Sequence, residues 1–253
     1  MGTDVRQLLD LGGRVALVTG GAARIGAAIV RTLHRAGYRI VLHYRHSAAP
    51  AEALAAELNA LRVDSVRLAQ ADLVDLGAVA RLADAALAQW QRLDLFVHNA
   101  SSFYPTALAE VEARHWEDLM GTNARAPLFL AKRLAPALQS CQGCIVHIID
   151  STAQHGLAGF APYAMAKAAL ANLTRTLARE LAPHVRVNGV SPGAILWPEY
   201  EGGMSASEQE STLARTCLGR IGTPEDIAGT VLYLTQASYV TGQIIRVDGG
   251  AVA

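Results

Sequence analysis

The sequence predicts an α/β fold in which a doubly wound parallel sheet of about seven strands carries helices on both faces. Two observations support this prediction. Short β-branched runs alternate with longer Ala/Leu-rich stretches from one end of the chain to the other. The short runs are also apolar on both faces, which is typical of strands that helices cover on either side.

The individual elements follow from this alternation. Strands are predicted at residues 15–19, 39–44, 65–71, 93–98, 143–149, 186–190 and 243–247. Helices are predicted at residues 25–36, 50–61, 76–90, 126–138, 163–181 and 224–234. Because no linker, repeat or low-complexity tract interrupts the order, we expect one domain that spans residues 1–253.

Composition excludes several classes of function. The 253 residues carry a formal net charge of zero, which argues against binding to nucleic acid or to an anionic membrane. The first residues include Asp4, Arg6 and Asp10 and lack the apolar segment of a signal peptide. No apolar run is long enough to cross a bilayer. These features predict a cytoplasmic protein that acts on a small molecule.

The cysteines suggest no disulfide framework, because the sequence has only three, Cys141, Cys144 and Cys217. Cys141 and Cys144, with His147 after them, have the spacing of half a metal or redox site. A structural zinc needs four ligands, and no second pair stands nearby. We therefore expect no metal and interpret the pair as two thiols in a turn before a strand.

A glycine-rich turn follows the first predicted strand, where residues 19–26 read TGGAARIG. Glycines at such a turn let the backbone approach a pyrophosphate, and the following helix offers free amides and a partial positive charge. The alternative is an ordinary strand–helix turn. Its position in the first βα unit favours a dinucleotide site.

The end of the second strand favours NADP(H) over NAD(H). A site for NAD places a carboxylate there to hold the ribose 2′-hydroxyl. Here the chain offers Tyr44, Arg45, His46 and Ser47 and no Asp or Glu. A guanidinium binds a 2′-phosphate well, whereas a carboxylate repels it. Farther along, Asp72 follows the third strand, where it would either hold the adenine edge or cap the next helix.

A tyrosine and a lysine four residues apart, Tyr163 and Lys167, open a long predicted helix and therefore lie on the same face. A nearby ammonium favours the phenolate and lowers the tyrosine pKa, so the pair can move a proton while a hydride is transferred. Lys167 and Lys132 are the only lysines in an arginine-rich sequence. A lysine retained at this position indicates that a compact ammonium matters there.

Together these residues resemble the short-chain dehydrogenase/reductase family, and the resemblance covers essentially the whole chain. It implies a Rossmann-type sheet, hydride transfer with a nicotinamide cofactor, and a homotetramer built through the helices at 124–138 and 163–181. The motifs are the glycine turn, Asp72, Asn99-Ala100, Asn123, the Tyr163/Lys167 pair, Pro192-Gly193 and Val247-Asp248-Gly249-Gly250. The residues expected at the cofactor are Gly20, Arg24, Ile25, Gly26, Tyr44, Arg45, His46, Ser47, Asp72, Leu73, Asn99, Ala100, Ser101, Tyr163, Lys167, Pro192 and Gly193. The resemblance also implies a catalytic role for Asn123.

Two departures from the common family pattern are informative. Arg24 stands where the turn usually has its second glycine, and Asp150 stands where the family has its catalytic serine, thirteen residues before Tyr163. Ser151 is adjacent, but neighbouring side chains on a strand point to opposite faces. A carboxylate would repel the oxyanion of a carbonyl reduction, whereas it suits a ring C=N bond that needs a proton. It also disfavours the tyrosinate, so it should keep Tyr163 a proton donor and oppose Lys167 in a coupled Asp–Tyr–Lys proton relay. The alternative is that Asp150 marks an inactive relative.

Both departures resemble the pteridine reductase branch of the family, as do residues 43–47 (HYRHS) and 99–105 (NASSFYP). The resemblance implies that Phe103 stacks on a pterin, and that Arg24 and Ser101 reach the cofactor phosphates and the pterin edge. It further implies that Tyr163 protonates the ring nitrogen with the help of Asp150. The expected reaction is NADPH-dependent reduction of a dihydropterin or dihydrofolate to its tetrahydro form, and a first step from the fully oxidised pterin stays open. The bacterial dihydromonapterin reductases are close relatives.

Two other functions remain open at this point. One is an ordinary carbonyl reductase of the same family, acting on a 3-oxoacyl thioester or a sugar. The other is a regulator that binds NADPH without turnover, against which the intact Tyr163/Lys167 pair argues. Residues 196–218 are expected to cover the substrate, and they do not indicate which pterin or folate is bound.

Overall fold

The computed structural model describes residues 13–197 and 203–251 and contains the predicted doubly wound sheet. Seven strands lie in the order β3-β2-β1-β4-β5-β6-β7, and every neighbouring pair is parallel. The strands are β1 Val15–Val18, β2 Arg39–Tyr44, β3 Val66–Gln70, β4 Leu95–His98, β5 Cys144–Ile148, β6 Arg186–Pro192 and β7 Ile244–Val247.

Helices cover both faces of this sheet, as predicted. The α-helices are α1 Arg24–Arg35, α2 Ala48–Leu61, α3 Leu76–Trp90, α4 Ala113–Met120, α5 Ala126–Ser140, α6 Thr152–His155, α7 Ala161–Glu180, α8 Ala206–Ala214 and α9 Pro224–Gln236. A single π-helical turn, Gly121–Arg125, joins α4 to α5. No helix in the described ranges has the length and apolar character required to cross a membrane.

Two apolar clusters hold the layers together. Helices α1, α2 and α9 pack on one face through residues such as Ile29, Leu54 and Val231. Helices α3, α5 and α7 pack on the other face through residues such as Leu82 and Leu134. Because the strands are buried on both sides, their near-continuous apolar sequence follows directly from the architecture.

The strand order places the site. The chain runs outward from β1 to β3 on one side and from β4 to β7 on the other, so β1 and β4 flank the point where the order reverses. In open α/β sheets, ligands bind beyond the carboxyl ends of the strands at this point. The glycine turn follows β1, residues 99–105 follow β4, and Asp150 follows β5.

The predicted elements are all present within a few residues, but α4, α6 and α8 were not predicted. Helix α8 shows why, since ASEQESTLA has no apolar stripe and none of its residues is buried. A capping box between Ser205 and Glu208 stabilises its start instead. Helix α7 begins at Ala161 with Pro162 in its first turn, two residues before the predicted start at Tyr163.

Candidate active site

A cleft of about 810 Å³ opens at the carboxyl ends of the central strands. Most of the residues predicted for the site line it: Gly20, Arg24, Ile25, Gly26, Tyr44, Arg45, His46, Ser47, Leu73, Asn99, Ala100, Ser101, Phe103, Asp150, Tyr163 and Gly193. Four others, Asp72, Asn123, Lys167 and Pro192, are not on the cleft wall itself. Pro192 ends β6, and Gly193 packs so tightly on Asp248 that a Cβ atom would lie 2.6 Å from the Asp248 Cβ.

The glycine turn is close-packed where it meets α1. A Cβ atom on Gly26 would lie 2.0 Å from the carbonyl oxygen of Gly20, so only glycine fits there. Arg24 has a φ of +52°, the left-handed region that usually selects the glycine found in relatives. No side chain caps α1 at Ala23, and the helix N-terminus lies at the cleft wall. The turn therefore fits a pyrophosphate group.

Two buried side chains that the sequence analysis missed hold this turn. The Thr19 hydroxyl accepts hydrogen bonds from the backbone amides of Asn99 and Ala100, at 3.0 and 3.1 Å. His43 Nδ1 accepts a hydrogen bond from the Gly20 amide (3.1 Å), and His43 Nε2 donates one to the Ala71 carbonyl (3.1 Å). Burial lowers the pKa of His43 to about 4, so the ring is neutral and suited to both contacts. The sequence feature that could have indicated these two residues is a single polar residue within a run of apolar strand residues.

The Arg45 guanidinium is paired with carboxylates from other parts of the chain, although the end of β2 itself carries none. Its guanidinium lies 2.9 Å from Asp72 and 3.5 Å from Asp118, which belongs to α4. Asp72 also accepts the Val74 amide at 3.0 Å. The suggestion that Asp72 caps the next helix is wrong, because Asp75 does so by accepting the Gly77 amide.

The predicted catalytic residues converge at the other end of the cleft. The Tyr163 hydroxyl donates a 2.7 Å hydrogen bond to Oδ2 of Asp150. Lys167 is buried beside them, donates to the Ile148 carbonyl at 3.1 Å, and lies 5.7 Å from the centre of the Tyr163 ring. Ser151 lines the cleft but does not replace Asp150 as the partner of the tyrosine.

The electrostatics agree with the expectation that Asp150 opposes Lys167 and keeps Tyr163 a proton donor. The pKa of Tyr163 is raised well above its ordinary value, first by burial and then by the Asp150 carboxylate. Burial and Asp150 outweigh the lowering of the Tyr163 pKa expected from Lys167, so Tyr163 is held as a protonated phenol. Burial lowers the pKa of Lys167 to about 8, and the charge of Asp150 opposes that shift.

The Asn123 side chain is bonded to the loop that follows β4, and none of the hydrogen bonds described for it reaches Tyr163 or Lys167. It lies fully buried in the π-helical turn, where its Nδ2 donates to the carbonyls of Ser102 (3.0 Å) and Leu119 (2.9 Å). Its Oδ1 accepts the Ser101 hydroxyl at 2.6 Å. These contacts hold the loop that carries Ser101 and Ser102.

Phe103 reaches the catalytic end of the cleft, as the resemblance implied. Its ring stacks on Phe160 at a centroid distance of 4.9 Å and meets Tyr163 edge to face at 4.8 Å.

The segment expected to cover the substrate contributes Leu196, Trp197, Met204 and Thr212 to the cleft wall. The guanidinium of Arg24 donates to the Trp197 carbonyl at 3.3 Å, which ties the glycine turn to this segment. Residues 198–202 of the predicted cover lie outside the described residues.

The cysteines lie away from the cleft. Cys141 follows α5, and Cys144 is the buried first residue of β5, where burial raises its thiol pKa to about 11. Within the described ranges, no group of three or more His, Cys, Asp or Glu side chains is arranged to hold a metal ion.

Comparisons with known proteins agree with this geometry. A family model described as enoyl-(acyl carrier protein) reductase matches residues 20–252. Pteridine reductase 1 of Leishmania tarentolae is 38% identical over 93% of this chain and 95% of its own length. A 3-oxoacyl-[acyl-carrier-protein] reductase of Staphylococcus aureus is 34% identical over 93% of this chain and 96% of its own. An uncharacterized oxidoreductase of Methylorubrum extorquens is 36% identical over 95% and 98%. With its glycine turn and Tyr163/Lys167 pair on a doubly wound sheet, the chain belongs to the short-chain dehydrogenase/reductase family of oxidoreductases.

Proposed function

We propose that this oxidoreductase is an NADPH-dependent pteridine reductase that converts a dihydropterin or dihydrofolate to its tetrahydro form. The observation that carries the proposal is the 2.7 Å hydrogen bond from Tyr163 to Asp150, at the position where the common family pattern has serine. A carboxylate there suits protonation of a ring nitrogen and opposes an oxyanion. The similarity to the Leishmania pteridine reductase supports the same substrate class.

The cofactor half of the cleft fits a nicotinamide dinucleotide, the cofactor class of this family. The uncapped start of α1 and the close-packed Gly20 and Gly26 would hold the pyrophosphate. Arg45, with His46 and Ser47 beside it, would bind the 2′-phosphate that distinguishes NADPH. When bound, the nicotinamide supplies a hydride to the substrate.

The protein's own residues would supply the proton. Asp150 and burial keep Tyr163 protonated, so the phenol can donate to the ring nitrogen next to the hydride-accepting carbon. The Lys167 ammonium would then face the tyrosinate and stabilise its charge. Asp150, Tyr163 and Lys167 would thus act as one coupled proton relay.

The substrate half of the cleft fits a flat heteroaromatic ring. Phe103 offers an aromatic face beside Tyr163, and Ser101 and Arg24 line the same cleft with polar groups. A pterin would stack on Phe103 and present its polar edge to these side chains. Asn123 would fix the loop by its contacts with Ser101 and Ser102.

Reduction of a 3-oxoacyl thioester is the second candidate, because the Staphylococcus aureus relative with that name is nearly as similar to this chain. This chemistry develops negative charge on the substrate oxygen, next to Tyr163. The Asp150 carboxylate at that point argues against it.

We propose separately that the protein assembles as a homotetramer. Each chain would be one domain that spans residues 1–253. Helices α5 and α7 expose Leu128, Phe129 and Met165, whose side chains are 39–53% accessible in the single chain. Exposed apolar residues on these helices match the faces that the family resemblance assigns to assembly. Light scattering of the purified protein would measure the number of chains in the assembly.

The test of function is oxidation of NADPH with dihydrobiopterin, dihydrofolate, dihydromonapterin, a 3-oxoacyl thioester and simple ketones. Fast turnover of pterins with none of ketones or thioesters would support the proposal, and the ranking would name the substrate. Turnover of carbonyl substrates alone would contradict the role given to Asp150. Binding of NADPH without turnover of any substrate would favour a regulator.

A further inference from the structure

Two buried histidines lie in the strands under α7, the helix that carries Lys167, and take no part in the contacts described above. His98 ends β4, His147 lies in β5, and the two are register partners that are both 0% exposed. Their rings meet edge to face with centroids 6.3 Å apart, and the Phe96 ring contacts both. A polar pair thus sits within an otherwise apolar layer under α5 and α7.

The hydrogen bonds around His98 fix where its proton lies. The Thr19 hydroxyl already accepts from the amides of Asn99 and Ala100, so both of its lone pairs are used. We assign its own hydrogen to His98 Nδ1, at 3.2 Å, in preference to the Val97 carbonyl, which lies farther away at 3.5 Å. His98 Nδ1 is therefore an acceptor, and the ring proton is on Nε2.

The opposite tautomer follows for His147. The Thr174 hydroxyl donates to the Leu170 carbonyl at 2.8 Å, so it accepts from His147 Nδ1, also at 2.8 Å. The His147 Nε2 atom then carries a bare lone pair. One ring thus offers an N–H donor and the other an acceptor.

Neither Nε2 atom has a hydrogen-bond partner within the described part of the chain, although both are buried. They cannot bond each other directly. Each ring nitrogen lies only about 1.1 Å from its ring centre, so centroids 6.3 Å apart keep the two atoms at least about 4 Å apart, beyond an N–H···N bond. One bridging water molecule would satisfy both the buried donor and the buried acceptor.

Two further polar groups lie near this point. The backbone carbonyl of Thr122 lies close enough to the His98 ring to favour its protonated form. The charge of Lys167 acts on both rings and lowers the pKa of each, after burial and, for His98, after the effect of His147. A water at this place would therefore have the three or four polar neighbours that buried waters have.

We propose that His98 and His147 together bind one buried water molecule behind Lys167, and that this hydrated pair positions and solvates the lysine ammonium. The proposal rests on the proposed role of Lys167 and adds two positioning residues to it. Desolvation of an ammonium is costly, and a fixed water with two neutral rings replaces part of the lost hydration. Burial lowers the pKa of His147 to about 3, so the pair stays uncharged at working pH.

The titratable groups that face Lys167 are few. Asp150 and Tyr163 lie on the cleft side, and His98 and His147 lie on the core side. His43 stands next to His98 and is neutral, because burial lowers its pKa to about 4. Loss of the hydrated pair would leave the Asp150 charge and the Ile148 carbonyl to support the ammonium.

The experiment is an NMR titration of the native protein labelled at its lysine side chains. Only Lys132 and Lys167 give signals, and the exposed Lys132 serves as the internal reference. His147→Leu should lower the pH at the midpoint of the Lys167 titration by about one unit, which is a tenfold loss of proton affinity. His147→Gln, whose amide oxygen can accept from water, should restore it. His34→Leu, which alters another buried histidine bonded to Ser65, should leave the midpoint unchanged.

An unchanged Lys167 midpoint in His147→Leu would overturn the proposal, as would an equal shift in His34→Leu. If the leucine variant does not fold, an atomic-resolution crystal structure of the unmodified protein decides instead. Density for a water bonded to both Nε2 atoms is the expected result, and an empty apolar gap or a direct ring–ring bond would refute it. Neither measurement needs turnover, so a protein that reduces only ketones would refute the pterin proposal and leave this one standing.

Discussion

The two ends of the cleft are held in different ways. At the catalytic end, Tyr163 and Lys167 are 4% and 2% exposed, and their partners are reached through short buried contacts. At the other end, which holds Arg45 and which we call the cofactor-selecting end after its proposed role, the Arg45 side chain is 41% exposed. Its ion pairs with Asp72 and Asp118 lie in contact with solvent. Charges at the first end act through a low dielectric, whereas water and salt screen those at the second. Substitutions should therefore cost far more at the catalytic end.

The largest effect is expected for Asp150→Ser, which restores the residue of the common family pattern. Loss of a positioned proton-transfer group costs about 10²–10⁴-fold, so kcat/KM for dihydropterin should fall by that amount. NADPH affinity should stay within about twofold, because the phosphates would bind at the glycine turn after β1, whereas Asp150 follows β5 and is bonded to Tyr163. Steady-state kinetics and fluorescence titration measure the two quantities. Unchanged pterin turnover in this variant would refute the role of Asp150, and a gain of ketone reduction would strengthen it.

At the exposed end, Arg45→Asp should weaken NADPH binding by about 10–100-fold and NADH binding much less, because a phosphate contact becomes a repulsion. The effect should shrink as salt is added. Arg133→Asp makes the same charge change at another exposed ion pair, with Asp84, and should alter neither affinity. Equal losses for NADPH and NADH would count against a contact between Arg45 and the 2′-phosphate.

The pH dependence of activity should reflect the protonation state of Lys167 at the catalytic end. Burial lowers the pKa of Lys167 to about 8, and the ammonium is the form that stabilises a tyrosinate. Activity should thus be full below pH 8 and fall about tenfold per unit above it. The profile of kcat/KM for the pterin tests this. An alkaline limb that starts two units higher would show that Lys167 keeps its charge despite burial.

The same contrast explains what the sequence could predict. The apolar runs predicted every strand, because burial on both faces leaves little choice of residue, and the glycine turn and Tyr163/Lys167 spacing located the cleft. Long-range contacts were not predictable, because no local pattern shows that Asp118 approaches Arg45 across 73 residues. His43 and Thr19 were overlooked for a different reason: a polar residue in a buried strand has no visible partner until the fold supplies one. The raised pKa of Tyr163 likewise depends on burial, which spacing alone does not reveal.

Asp118 gives the smallest and most discriminating test of the comparison. Its carboxylate lies 3.5 Å from Arg45 and accepts the Ser102 hydroxyl at 3.1 Å, so it links the cofactor-selecting end to the substrate loop. Asp118→Asn removes a competitor for the guanidinium, and exposed ion pairs contribute about 0.2–1 kcal/mol. NADPH affinity should therefore rise by no more than about fivefold, since 1.4 kcal/mol corresponds to tenfold. Asp84→Asn, at the remote pair with Arg133, should change nothing. Weaker NADPH binding in Asp118→Asn would mean that the carboxylate holds Arg45 in its binding position, and calorimetric titration at low salt separates the two outcomes.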